Sequence, residues 1–388
     1  MKRAAIIVLD GMGIGPAPDT AAYGDAGSDS LGNVARAAGG LRLPELEKLG
    51  LGRCRPIQGL SATVQAEAAY GVALPKSAGK DSTTGHWELC GVLLKKAFRT
   101  YPKGFPAALL EEFSKRTGRG WLGNTAASGT AIIADHGAEH QRSGKWIVYT
   151  SADSVFQVAA HEETVPLAEL YQACGVAREL LQGEDAVSRV IARPFVGKTG
   201  AYTRVSEHRR DFSIAPVAPT LLDHLAAAGV PRVGIGKVDD LFAGQGITSV
   251  HTATNGVAYD LIERALDETE TGFVFVNVIE FDQTWGHRND VPGYLDGLKA
   301  LDAWIPRLRA RLRKDDLVML TADHGNDPTT PSTDHSREVV PVLVLGPRVR
   351  PVALGDRPTF ADLGATVAEY FGVKPLAAGT SFLREIWT

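Results

Sequence analysis

The chain has 388 residues, 44% apolar and 22% charged, which excludes a disordered or membrane-embedded protein and allows a large core with room for two domains. Its 41 basic and 45 acidic residues leave a net charge of −4, without the basic excess of a nucleic-acid binder, so a small molecule is the expected partner. Three widely separated cysteines, Cys54, Cys90 and Cys174, have no metal-binding spacing and point to reduced thiols in a cytoplasmic protein.

The first element is an apolar run over 4–9 that ends at Asp10. It is too short for a signal sequence or a membrane span and reads as a buried strand. Gly11, Gly13 and Gly15 follow, but Pro16 and Ala17 stand where a dinucleotide fingerprint needs its last glycine. They read instead as a turn that lets backbone approach a site closely. Next, Gly79-Lys-Asp-Ser-Thr-Thr-Gly-His-Trp-Glu-Leu-Cys-Gly91 sets Ser82, Thr83 and Thr84 before a helix start. Leu74 and Asp81 rule out a P-loop around Gly79-Lys80. Any of the three hydroxyls can cap the helix or act as a nucleophile, and a helix start offers N–H groups to phosphate.

Between 98 and 215 the pattern changes. Amphipathic helices are predicted over 106–116 and 167–181, and strands over 146–150 and 189–192. This segment reads as an inserted α+β cap, with the core formed by 1–97 and 216–388. Asp135-His136 reads as a solvated helix end in the cap and is left out of the site. Arg189, Arg193, Arg204, Arg209 and Arg210 cluster near the end of the cap, with Lys237 back in the core. As a group they suit a second phosphate or a sugar hydroxyl. Asp153 is placed to accept hydrogen bonds from sugar hydroxyls.

The C-terminal half alternates clearly. Helices are predicted over 220–228, 256–268, 293–313 and 360–371, and strands over 232–235, 273–279, 317–321 and 339–345. Near-continuously apolar strands between such helices imply a mainly parallel sheet covered on both faces, which binds ligands at the carboxyl ends of its strands. Asp10, Asp282 and Asp323 all sit at such ends. His287 follows Asp282 by five residues, His324 adjoins Asp323, and His335 follows eleven residues later, before another buried strand. Carboxylates and imidazoles suit borderline and hard divalent ions, and two ions about 3.5–4 Å apart can grip both oxygens of a phosphoryl transfer. Six ligands supply three to each ion, and an anionic substrate is electrostatically welcome beside them.

Taken together, Asp10-Gly-Met-Gly-Ile-Gly-Pro-Ala-Pro-Asp19, the Gly79 to Glu88 segment, Tyr149-Thr-Ser-Ala-Asp-Ser154, Ile191-Ala-Arg-Pro-Phe195, Gly286-His-Arg-Asn-Asp290 and Thr321-Ala-Asp-His-Gly-Asn326 resemble the phosphopentomutase family of the alkaline phosphatase superfamily, nearly end to end. The resemblance implies an alkaline-phosphatase-like α/β core with an inserted cap and two manganese ions. Asp282, His287 and His335 would hold one ion, and Asp10, Asp323 and His324 the other, together with the nucleophile. That nucleophile is a threonine in the family, and Ser82 stands in its place here. Serine keeps the hydroxyl but lacks the methyl that restricts χ1. Substrate contacts implied are Asp153, Arg193, Lys237 and one arginine of His208-Arg-Arg-Asp211, with Arg209 favoured over Arg210.

The expected activity interconverts ribose 1-phosphate and ribose 5-phosphate, and the deoxyribose pair, through a phosphorylated Ser82 and a pentose bisphosphate, with a sugar bisphosphate as activator. A metal-dependent phosphohydrolase, or a mutase for another sugar phosphate, shares the chemistry until water or a hydroxyl arrives. A catalytically silent sugar-phosphate-binding protein would have little need of six metal ligands.

Overall fold

The apolar run before Asp10 forms the strand Arg3–Leu9, buried along its whole length. The computed structural model describes residues 2–151 and 154–388, so Asp153 lies outside the described residues. The chain divides into two compact units, Met1–Ala97 with Pro216–Thr388, and Phe98–Ala215.

In the larger unit eight strands form one sheet, in the order Ser249–Val250, Arg232–Ile235, Gly272–Val278, Arg3–Leu9, Asp316–Thr321, Val340–Leu345, Ala69–Ala73 and Ala353–Arg357. All neighbours run parallel except at Val340–Leu345, which is antiparallel to both of its partners. The three central strands are buried throughout, as a parallel sheet with helices on both faces requires. Helices Asn255–Glu268, Val291–Arg309 and Ala361–Phe371 contribute the covering layers, each burying one apolar stripe. The fold class is therefore α/β with a mainly parallel sheet.

The strands predicted in this unit form within one residue of their expected limits. Ala69–Ala73 and Ala353–Arg357 were not indicated by periodicity: both are short, Gly71 stands where the backbone of Gly355 approaches, and Gly355 has φ +65° at a shift of register. The helix expected over 293–313 is Val291–Arg309, starting early because Asp290 caps it by accepting from Gly293 N.

The smaller unit has its own sheet, in the order Trp121–Ala126, Trp146–Thr150, Val155–His161, Arg189–Lys198 and Ala201–Arg204, with Arg210–Ser213 also pairing to Arg189–Lys198. Helices Ala107–Thr117 and Leu167–Leu180 pack over Trp146, Phe156 and Val190. Helix Gly129–Ser143 packs over Ile147, Tyr149 and Phe195 through Ile132 and Ile133. Asp135-His136 therefore lies in the middle of a helix and not at its end. The sequence hid this because Gly137, a weak helix former, is fixed there by packing, with Tyr202 too close to admit a Cβ. Among the described residues, no helix is long and apolar enough to cross a membrane.

Candidate metal centre

Three neighbouring strands bring the acids together. Gly272–Val278 and Asp316–Thr321 flank Arg3–Leu9 in parallel, with Val8 opposite both Asn277 and Thr321. Their carboxyl ends lead into Asp282, Asp10 and Asp323, all at most 6% exposed. Gly11 follows with φ +78°, and a Cβ there would lie 3.0 Å from that of Asp282. The turn after Asp10 thus permits the close backbone approach expected of its glycines.

Because Val340–Leu345 runs antiparallel, its start lies beside the carboxyl ends of the parallel strands, and the chain entering it carries His335 to the site. A π-helical turn, Phe281–Trp285, and a tight turn, Gly286–Arg288, place His287 there. The ligand atoms of Asp282, His287 and His335 lie within 4.8 Å of one another, as do those of Asp10, Asp282 and His324. Asp323 Oδ2 joins them 3.4 Å from His324 Nε2. All six residues singled out by the sequence converge, with Asp282 adjoining both sets.

The imidazoles are presented as metal ligands are. His324 Nδ1 faces the Gly325 carbonyl at 3.0 Å, and His287 Nδ1 faces the Thr333 carbonyl at 2.6 Å. A carbonyl only accepts, so each Nδ1 carries a proton and each Nε2 is the ring nitrogen turned toward the acids. His287 Nε2 is 3.2 Å from Asp282 Oδ2, and His324 Nε2 is 3.3 Å from Asp10 Oδ1.

Ser82 is the first residue of the helix Ser82–Leu89. The cap is Asp81 and none of the three hydroxyl residues: its carboxylate accepts from Thr84 N at 3.0 Å and from Thr84 Oγ1 at 2.6 Å. A carboxylate outcompetes a hydroxyl for these donors, which leaves Ser82 Oγ available. That oxygen lies 3.0 Å from His324 Nε2 and 3.4 Å from Asp10 Oδ1. The loop leading to it is clamped by Arg337, 3% exposed, which donates to the carbonyls of Pro75, Ser77 and Gly79 and bidentately to Asp19.

Crowding sets the electrostatics. Burial raises the Asp10 carboxyl, and the charges of Asp323 and Asp282 push it the same way. Burial also pushes Asp282 upward, but His335 and His287 together hold it well below the ordinary carboxylate range. Asp323 is held down against burial by His324 and His86. His324 is drawn down by burial, yet Asp323 and Asp10 hold it well above the usual imidazole value. Buried Asp323 Oδ2 receives no hydrogen bond, and Asn277 Oδ1 and Asn326 Oδ1 are likewise unpartnered. An acid cluster with an orphaned carboxylate oxygen and inward Nε2 atoms fits divalent cations.

Of the expected substrate contacts, Arg193 is half-buried and donates from Nε to Gln157 at 3.0 Å, and burial lowers its guanidinium to about 10. Arg209 pairs with both oxygens of Asp211 at 2.7 Å. Arg210 instead stacks on Tyr171 and Phe212. Lys237, in the larger unit, donates to Gln283.

Comparison with known proteins places the chain in the Metalloenzyme superfamily, whose family model matches residues 2–375. It is 52% identical over its whole length to phosphopentomutase of Caldanaerobacter subterraneus subsp. tengcongensis, covering 98% of that protein. It is 52% identical to that of Carboxydothermus hydrogenoformans, with full coverage of both, and 55% identical to that of Anaeromyxobacter sp. (strain K), covering 99% of each. Within the superfamily the chain belongs to the phosphopentomutase family, and it is an enzyme of the mutase type, in the isomerase class.

Four buried residues at the centre escaped the sequence reading. His86, one turn after Ser82, lies with Nδ1 2.9 Å from the Ser82 carbonyl and 3.1 Å from Asp323 Oδ2. Asn277 and Asn326 donate to Asp10 and Asp282, and Glu338 accepts from Ser30 and Ser336. The available signal was a polar residue inside an otherwise apolar strand, as at Asn277, and a carboxylate directly before one, as at Glu338.

Proposed function

We propose that this chain interconverts ribose 1-phosphate and ribose 5-phosphate, and the 2-deoxyribose pair, through a phosphorylated Ser82 and a pentose bisphosphate. The observation that carries this reading is Ser82 Oγ, held at a helix start 3.0 Å from His324 Nε2 and 3.4 Å from Asp10 Oδ1 within a six-residue ligand set. Relatives more than 50% identical that bear the name phosphopentomutase support the substrate class.

In this reading two Mn²⁺ ions occupy the centre, one held by Asp282, His287 and His335 and the other by Asp10, Asp323, His324 and Ser82. When bound, they supply positive charge to phosphoryl oxygens and favour the alkoxide form of a neighbouring hydroxyl. Ser82 Oγ carries the phosphoryl group. The free hydroxyl of a bound pentose monophosphate attacks phosphorus, the Oγ–P bond breaks and a bisphosphate forms. The bisphosphate then turns over, and Ser82 Oγ takes back the phosphoryl group from the other end. The N–H groups at the start of Ser82–Leu89 orient the anion. Arg193, Arg209, Lys237 and Asp153 are the substrate contacts in this reading, binding the sugar phosphate through charge and hydrogen bonds. A trace of pentose or hexose bisphosphate primes Ser82. Three buried, unpaired cysteines support a cytoplasmic location.

A coupled assay with Mn²⁺ and a trace of sugar bisphosphate tests this. Isomer formation should exceed free phosphate release at least about 100-fold. Phosphate release that outpaces isomer formation would make the enzyme a hydrolase instead.

A further inference from the structure

Two carboxamides stand behind the ligand carboxylates. Asn277 and Asn326 are completely buried. Asn277 Nδ2 donates to Asp10 Oδ2 at 2.9 Å, and Asn326 Nδ2 donates to Asp282 Oδ1 at 2.7 Å. Each leaves its own Oδ1 without a hydrogen-bond partner. A buried amide with half of its polar capacity unmet costs free energy that an apolar residue would avoid. Asn277 even sits in a strand, Gly272–Val278, whose other residues are apolar or glycine.

The bonds fix how each carboxylate faces the site. With Oδ2 of Asp10 tied to Asn277, Oδ1 is left facing His324 Nε2 at 3.3 Å and Ser82 Oγ at 3.4 Å. With Oδ1 of Asp282 accepting from Asn326, Oδ2 faces His287 Nε2 at 3.2 Å while Oδ1 itself stands 3.4 Å from His335 Nε2, so the bond fixes the plane of this carboxylate. A lysine in either place would bring a charge that competes with a cation, and an aspartate would add a fourth acid and no N–H. Asparagine is the residue that donates without charge.

We propose that Asn277 and Asn326 are positioning residues, each serving one ion: Asn277 acts through Asp10, and Asn326 acts through Asp282. Each locks the rotation of its carboxylate before the cation arrives. Hydrogen bonds to ligand carboxylates typically change metal affinity about 10- to 100-fold. The proposal rests on the two-ion reading above.

The test is Mn²⁺ binding to chelator-treated full-length protein, with free Mn²⁺ counted by electron paramagnetic resonance and metal-free unfolding followed in parallel. Wild type should take up two equivalents. Asn277→Leu and Asn326→Leu should each weaken one binding step about 10- to 100-fold and leave the other within about threefold. On a His335→Ala background, which cripples the Asp282–His287–His335 set, Asn277→Leu should weaken the remaining ion and Asn326→Leu should not. If leucine is not accommodated, Asn→Ala opens space rather than filling it and carries the same expectation. Fewer than two equivalents in wild type would overturn the two-ion reading and this assignment with it. Two equivalents in wild type with unchanged affinity in the variants would overturn the assignment alone, as would variants that only lower the metal-free unfolding temperature.

Discussion

Glu338 shows how a single side chain is set by its surroundings. It is 1% exposed, and its Oε2 accepts from Ser30 N at 2.8 Å and Gly15 N at 3.3 Å, while Oε1 accepts from the hydroxyls of Ser30 and Ser336, both at 2.7 Å. Burial pushes the carboxyl from 4.5 up to about 7, against the pull of those hydrogen bonds. Between these values the folded protein holds a proton that the unfolded chain has released. Stability therefore falls as pH rises through this window, by roughly 3 kcal/mol in all. Glu338→Gln can donate to the same hydroxyl oxygens and does not titrate. Urea unfolding should find this variant more stable than wild type at pH 8 and close to it at pH 5; equal stability at both would contradict the burial account. The strand-end acids Asp10, Asp282 and Asp323 were legible in the sequence because an acid that ends a buried run is unusual. Glu338 and Asn277 were not, because a charge before a strand reads as a solvated turn and one amide inside a strand reads as noise.

At the scale of elements, the helix Ser82–Leu89 decides where the hydroxyl stands. A Cβ on Gly85 would lie 2.2 Å from the Asp323 carbonyl oxygen and 2.7 Å from Asp323 Cβ, so the helix can approach this close only with glycine there. Gly85→Ala should push Ser82 away by about an ångström and lower kcat about 100-fold or more. Wild-type kcat in that variant would show that the contact does not position the helix. Asp81→Ala removes the cap and should cost about 1 kcal/mol in chemical unfolding. The buried parallel strands were readable because each is an apolar run bounded by turn residues. The reversal of Val340–Leu345 was not, since an antiparallel strand buried on both faces carries the same pattern. Yet that reversal is what carries His335 to the acids. In the smaller unit, strands Trp121–Ala126 and Val155–His161 also escaped, one half-exposed with a glycine and the other mixing Gln157 and His161 into its run.

For the molecule as a whole, the ligand set ties together chain positions that the sequence keeps far apart. Asp10 and Ser82 precede Phe98–Ala215, and Asp282, His287, Asp323, His324 and His335 follow it, all within the larger unit. Ions that bind this folded cluster and not the unfolded chain stabilise the fold by mass action, about 4 kcal/mol for one ion present at a thousandfold excess over its Kd. Removing metal with a chelator should lower the thermal midpoint, and adding Mn²⁺ back should restore it. A midpoint indifferent to metal would mean that the cluster binds none.

The most direct measurement is the covalent state of Ser82. After incubation with Mn²⁺ and a pentose bisphosphate, intact mass and peptide mapping should find one phosphate per chain, on Ser82, absent from Ser82→Ala together with mutase activity. A wild-type enzyme that turns over while Ser82 stays unmodified, or a Ser82→Ala variant that retains activity, would contradict the account.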